Sequence, residues 1–526
     1  MNREELLAPE QYNIVSEFEK FATGDNRKAL IYVDSENQQK EVTYDELIQA
    51  ANRTANVLTT NGLKKGDVVL VMVPRMIEAY VTYIAALKAG LVVIPSSEML
   101  RSSDIEYRIE HSDAKAIIAF DAFTDQLEQV SNLDKVKVYI IGEAKDGEVS
   151  LSEEEKAASS VFAVCDTLST DIAFLSYTSG TTGKPKGVVH THGWGYAHLR
   201  TTAPNWLGIE ERDIVWATAA PGWQKWIWTP FLSVLGSGAT GFVYNGKFKV
   251  DKYLKFLDQY KVNVLCCTPT EYRFMAKAEN LSDYSLSSLK SAVSAGEPLN
   301  REVIDTFNEQ FSLNVRDGYG QTENTLLVGT MIGMKARPGS MGKPTPGNIV
   351  DVITADGKIA KVDEVGDIAV HKSTPALFQE YLNDPERTKM QFRGDYYITG
   401  DRAKKDAEGY FWFEGRGDDI IVSSGYTIGP FEVEDALIKH PAVRECAVVA
   451  SPDPERGNIV KAFVVLRNPV PEQQEHLIKE LQNHVKELTA PYKYPRKIEF
   501  LEELPKTTSG KIMRVELRKT EQNLRG

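Results

Sequence analysis

Cys165, Cys266, Cys267 and Cys446 are the only cysteines in 526 residues. They show neither metal-ligand spacing nor enough pairs for a disulfide framework, which excludes a cross-linked secreted scaffold and points to a reducing compartment. Long apolar runs are also missing. A membrane span needs roughly 18 apolar residues, and the nearest stretches, 68–73 and 83–95, are short, with Lys88 inside the second. Met1-Asn2-Arg3-Glu4-Glu5 mixes both charge signs with no apolar run behind it, so neither a secretory signal nor a membrane span is expected and the chain is expected to be cytoplasmic. There is no basic excess: 61 Lys and Arg stand against 74 Asp and Glu, a net charge of −13. That balance disfavours nucleic acid as the main partner, though local lysines and backbone donors can still hold a nucleotide. Internal repeats and low-complexity tracts are absent as well.

A chain of this length exceeds one ordinary core. Residues 68–73 read as a buried strand, 76–89 as a helix ending at Gly90, and 91–95 as the next strand, which together make a βαβ unit. The pattern recurs at 262–267 with a helix from Glu271, and at 291–294 with a helix over 298–311. Such units predict an α/β fold: a large N-terminal domain of mixed or parallel sheets covered by helices. Past Gly415-Arg416-Gly417-Asp418-Asp419 the texture changes. Strands at 420–422, 446–450 and 462–466 and helices at 431–440 and 475–488 suit a small α+β C-terminal domain. The expected division is 1–417 and 418–526.

Residues 177–187, Tyr-Thr-Ser-Gly-Thr-Thr-Gly-Lys-Pro-Lys-Gly, pack four Ser/Thr hydroxyls, three glycines and two lysines together. Glycines let backbone N–H groups converge on an anion, hydroxyls add donors and lysines add charge, which is phosphate chemistry. The spacing is not that of a P-loop. Strand-like 172–177 and 187–190 flank it, so the loop is expected to join two strands; a plain surface loop is the bland alternative.

Other clusters share this double character. In Asp317-Gly318-Tyr319-Gly320-Gln321-Thr322-Glu323, the ring suits a flat base, Thr322 a phosphate and Glu323 a hard cation; a strand-end turn with a surface acid reads equally well. Ser294-Ala295-Gly296-Glu297-Pro298 offers either close approach for a planar group or an ordinary βα turn. Asp401 and Arg416 suit ribose hydroxyls or a surface ion pair. Lys511, after Thr507-Thr508-Ser509-Gly510, is a mobile site lysine or a solvated tail residue. Trp223 and Trp226 are candidates for a substrate-pocket wall, with core packing as the alternative. His190 and His192 read as structural.

In order along the chain, 177–187, 294–298, 317–323, Thr399-Gly400-Asp401, 415–419, Ser424-Gly425-Tyr426 and 505–511 resemble the motifs of adenylate-forming enzymes. Within that superfamily the chain is most similar to AMP-forming medium-chain acyl-CoA synthetases, on 90–108, 451–454 and 492–497. The resemblance implies ATP, Mg²⁺, coenzyme A and a short, branched or medium-chain carboxylic acid, joined through an acyl-AMP. It assigns Thr178, Ser179, Gly180, Thr181, Thr182, Gly183, Lys184, Pro185 and Lys186 to the phosphates, Thr322 to the α-phosphate and Glu323 to Mg²⁺. Gly296, Glu297, Pro298, Asp317, Gly318, Tyr319, Gly320 and Gln321 surround the nucleotide, with Gly318 and Trp223 also facing the acyl group, and Asp401 and Arg416 hold the ribose. Lys511 bridges the α-phosphate and the acid in the first step only. A hinge at Asp418 then lets the small, mobile domain rotate and bring Ser424, Gly425, Tyr426, Arg456 and Tyr494 to coenzyme A. Thr427 departs from the Arg or Lys that many relatives carry, which puts one phosphate contact in doubt. A stand-alone enzyme that loads a carrier protein and a non-catalytic acyl-adenylate sensor stay open, as does the oligomeric state, a homo-oligomer included.

Overall fold

The computed structural model describes all residues except 179–184, 297, 298, 300, 418, 424, 425, 454, 455, 471–473, 507–511 and 524–526, with backbone alone at 426, 427, 491, 522 and 523. Two compact units emerge: Met1–Pro338 with Gly342–Val350 and Val370–Tyr397, and Gly339–Met341 with Asp351–Ala369 and Ile398–Gly526. Compactness groups 351–369 and 398–417 with the smaller unit, while the hinge expected at Asp418 lies outside the described residues.

The larger unit holds two sheets. One has seven strands, in spatial order Val149–Ser150, Lys137–Ile141, Ala116–Phe120, Val68–Met72, Val92–Pro95, Ile172–Thr178 and Lys186–Thr191. The βαβ unit is present. Val68–Met72 and Val92–Pro95 pair in parallel, and the intervening helix Ile77–Lys88 is buried almost all round, as its apolar sequence requires. Gly90, at φ +74°, ends that helix, and a Cβ there would run into Cys165 Sγ at 2.9 Å.

The other sheet has nine strands, in spatial order Lys343–Pro344, Leu326–Gly329, Val315–Gly320, Ser291–Ala295, Val264–Cys267, Ile214–Ala217, Thr240–Tyr244, Lys28–Val33 and Gln39–Thr43. From Val315–Gly320 across to Lys28–Val33 the pairings are parallel: Ser294 lies opposite Asp317 and Ala295 opposite Gly318. The helix after Val264–Cys267 starts at Pro269, two residues before the expected Glu271, because Thr268 and Glu271 form a reciprocal capping box. The helix expected over 298–311 is Arg301–Phe311.

In the smaller unit, Val443–Asp453 pairs antiparallel with Gly457–Leu466, which pairs in parallel with Lys497–Phe500. Helices Pro430–Ile438, Gln474–Leu488 and Arg514–Asn523 accompany them. Leu481 and Val485 of the second helix are buried, whereas Leu488 at its end is exposed. The fold is α/β, with a large domain of mixed sheets and a smaller α+β domain.

Candidate functional site

Thr178 and Lys186 face each other across the antiparallel pair Ile172–Thr178 and Lys186–Thr191, which places the loop between two strands as the sequence predicts. Loop residues 179–184 lie outside the described residues. At its edges, Thr178 Oγ1 is buried without a hydrogen-bond partner among the described residues, and the Pro185 carbonyl accepts from Tyr107 OH at 3.0 Å. A buried hydroxyl of this kind beside a glycine-rich sequence suits an anion's oxygen.

Lys186 reaches the second cluster. Its Nζ lies 3.1 Å from Glu323 Oε1 and donates to Tyr381 OH at 3.0 Å, while Tyr381 donates to the same carboxylate oxygen at 2.8 Å. Glu323 and Tyr381 are buried. Burial, then the Glu323 charge, pushes the Tyr381 phenol far above its ordinary value, so it stays a donor. A buried carboxylate with one oxygen fixed by two donors is a hard, oriented oxygen ligand. Among the described residues no group of three His, Cys, Asp or Glu could cage a metal by itself.

The Thr322 backbone is anchored from behind. His190 Nε2 donates to its carbonyl at 2.6 Å, and because Nε2 carries the proton, Nδ1, which has no partner among the described residues, is the bare nitrogen. Burial drives His190 down to about 3, so the ring is neutral and structural, as expected. His192 is also buried, and its Nδ1 accepts from the Ile14 amide. Asn324 Oδ1 accepts from the Gln321 amide at 2.8 Å, and the Asn324 carbonyl accepts from Trp194 Nε1 at 3.0 Å. Thr322 and Glu323 therefore sit on a turn held at both ends.

Gly318 and Gly320 lack side chains because the protein occupies that space. A Cβ at Gly318 would meet Trp206 at 2.6 Å, and one at Gly320 would meet the Thr325 carbonyl at 2.1 Å. Asp317 Oδ1 accepts from the Gly318 amide at 2.8 Å. Desolvation, only partly countered by amide hydrogen bonds and by Lys225, raises the Asp317 carboxyl to about 7. Gly296, at φ +104°, has the Lys225 ammonium where its side chain would stand, while Glu297 and Pro298 are outside the described residues. Trp223 is 37% exposed, but Trp226 is a core residue, stacked on Phe231 and edge-on to Tyr83.

In the smaller unit, Asp401 and Arg416 are register partners of one hairpin, the acid buried and the base exposed. Tyr494 OH accepts from Arg496 at 2.9 Å, and Lys486 lies 4.2 Å from its ring centroid. The Arg456 amide donates to Asp453 at 2.9 Å. Tyr426 belongs to the strand Tyr426–Ile428; Asp418, Ser424, Gly425 and Lys511 are outside the described residues. Sequence reasoning missed Tyr381, Asn324 and Lys225. Tyr381 and Lys225 carry no local signal, since their partners are distant in the chain; Asn324, whose side chain accepts from Gln321 three residues earlier, could have been read as a turn residue.

Residues 18–382 match the family model described as AMP-binding enzyme, and 432–511 match the AMP-binding enzyme C-terminal domain. The chain is 62% identical over 525 residues to the uncharacterized acyl-CoA ligase YtcI of Bacillus subtilis (strain 168), covering 100% of this chain and 99% of that one. It is 41% identical to the mitochondrial acyl-coenzyme A synthetase ACSM3 of Mus musculus, covering 98% and 91%. A solved anthranilate CoA ligase, AuaEII, in complex with anthranoyl-AMP superimposes with a TM-score of 0.91 at 29% identity, covering 100% and 99%.

Proposed function

The chain belongs to the AMP-binding enzymes, and from that premise we propose which residues carry each step and which acids it activates. It is an AMP-forming acid-thiol ligase: it makes acyl-CoA from a carboxylic acid, ATP and coenzyme A by way of an acyl-AMP. In the first step a carboxylate oxygen bonds to the α-phosphorus and the bond to pyrophosphate breaks. In the second the coenzyme A sulfur attacks the acyl carbon, AMP leaves and the thiol proton goes to solvent. The carboxylate is already a nucleophile, so the protein has to stabilise charge on the α-phosphate and the leaving group.

The observation that carries the residue assignment is the meeting of Lys186, from the phosphate loop, with Glu323 and Tyr381 beside Thr322. Thr178, Lys186 and the loop 179–184 would hold the β- and γ-phosphates, Thr322 the α-phosphate and Tyr319 the adenine. Asp401 and Arg416 would take the ribose, and Ser424, Gly425, Tyr426, Arg456 and Tyr494 coenzyme A. Glu323 fits a Mg²⁺ that arrives with ATP, since Mg²⁺ draws most of its ligands from phosphate oxygens and water and takes one or two carboxylates from protein. When bound, it would offset phosphate charge. Lys511 would bridge the α-phosphate and the acid, then withdraw as 418–526 turns about Asp418. Trp223, which is exposed, would close the acyl pocket and favour short, branched or medium-chain acids. A cytoplasmic location belongs to the same proposal and draws support from four cysteines without disulfides and from the absence, among the described residues, of a helix long and apolar enough to cross a membrane.

The test is a panel of acids of four to ten carbons with ATP and Mg²⁺, following pyrophosphate release and thioester formation with and without coenzyme A. Acyl-CoA formation peaking at short or medium length is expected. Pyrophosphate release that never yields acyl-CoA would move the function to carrier loading.

A further inference from the structure

Lys225 has no part in the roles above, yet its ammonium stands among them. It sits half-buried in the one-turn helix Gln224–Trp226, whose neighbouring Trp226 is locked into the core. From there its Nζ donates to the Ala295 carbonyl. It lies 1.9 Å from where a Cβ on Gly296 would be. Ala295 is the register partner of Gly318, so the cation is placed over the ends of two adjacent strands that bear Gly296 and Gly318. Asp317, one residue earlier, feels that charge, but with its carboxyl raised to about 7 it gives up much of its own near neutrality. Lys225 therefore puts a positive charge at Ala295 and Gly296, on the strand paired with that of Gly318, and follows Trp223 by two residues.

An ammonium facing a purely hydrocarbon chain loses water and gains nothing. One facing an oxygen keeps a charge-assisted hydrogen bond. The lysine stem is flexible enough to share or exchange its Ala295 contact for such an oxygen. We propose that Lys225 is a specificity-determining residue that selects carboxylic acids with a second oxygen acceptor on the acyl chain: a hydroxyl, an oxo group or a second carboxylate. This deepens the acyl-CoA synthetase assignment and rests on Trp223 and Gly318 facing the acyl group.

The experiment compares the full-length protein with Lys225→Met and Lys225→Arg on acids matched in carbon number: butanoate, 3-hydroxybutanoate, 3-oxobutanoate and butanedioate, with a six-carbon set alongside. Acyl-CoA formation gives kcat and KM for each. The wild type is expected to prefer an oxygenated acid to its plain counterpart. Lys225→Met is expected to lower that preference about 10- to 100-fold, mainly through KM, the effect of one hydrogen bond to a charged group. Lys225→Arg, which keeps the charge, is expected to retain the direction of the preference. The hydroxy, oxo and diacid arms tell a neutral acceptor from an anion. An unchanged ratio in Lys225→Met, or equal loss on every acid, overturns the proposal while leaving the synthetase activity standing. Failure of all three proteins to form any acyl-CoA overturns the activity itself, and the proposal with it.

Discussion

Replacing Asp317 with Asn removes a titration that the fold makes expensive. The ordinary value of this carboxyl is 3.8 and its value in the folded protein is about 7. Below both values the two states are equally protonated, so the group contributes nothing. Between them the folded state holds a proton that the unfolded state has released, and stability falls as pH rises, by about 1.4 kcal/mol per unit. Above about 7 the loss is complete. Three units would amount to about 4 kcal/mol, and nearer 3 with allowance for the solvent a half-buried residue keeps. Asn keeps an oxygen that can accept from the Gly318 amide but cannot ionise. The variant should therefore gain on the wild type by about 2 to 3 kcal/mol between pH 5 and pH 7, and no further by pH 8. Urea unfolding of both proteins at each pH, with ionic strength fixed, reads the difference. Activity should follow the same group: above pH 7 the ionised Asp317 repels an arriving carboxylate, so KM for the acid should climb in the wild type and not in Asp317→Asn. Parallel stability profiles, or equal KM profiles, would refute the reasoning.

Tyr381→Phe removes one of the two donors on Glu323 Oε1; a cost of about 1.5 to 3 kcal/mol, roughly 10- to 100-fold in kcat/KM for Mg-ATP, is expected, and unaltered kinetics would take Tyr381 out of the site. For Lys511→Ala, pyrophosphate release should fall about 10²- to 10³-fold while thioester formation from supplied acyl-AMP is largely kept; equal damage to both steps would count against a lysine that withdraws. Trp223→Gly should shift the chain-length optimum upward, and an unmoved optimum removes Trp223 from the pocket wall.

Much of the scaffold was legible in the sequence, because strands with an apolar alternation or run, and helices with caps, announce themselves locally. The strands on both sides of 179–184 and the βαβ unit at 68–95 fall within about a residue of expectation. The internal support of the site was not legible. Lys186 and Glu323 are 137 residues apart and Glu323 and Tyr381 are 58 apart, and no window along the chain contains both members of either pair. Trp223 and Trp226 looked alike in composition; Trp226 lies on the one-turn helix and packs into the core, whereas Trp223 is the extended residue that precedes it and stays exposed. Nor does the sequence near 317–320 show that Trp206 and the Thr325 carbonyl stand where side chains on Gly318 and Gly320 would go.

The claim that an acid is joined to AMP can be followed by the oxygen it gives up. With the acid labelled by ¹⁸O in both carboxylate oxygens, complete turnover with ATP, Mg²⁺ and coenzyme A should leave one ¹⁸O in AMP, none in pyrophosphate and one in the thioester carbonyl. Label in inorganic phosphate, with ADP as the nucleotide product, would show that the γ-phosphate is attacked instead and would contradict the account.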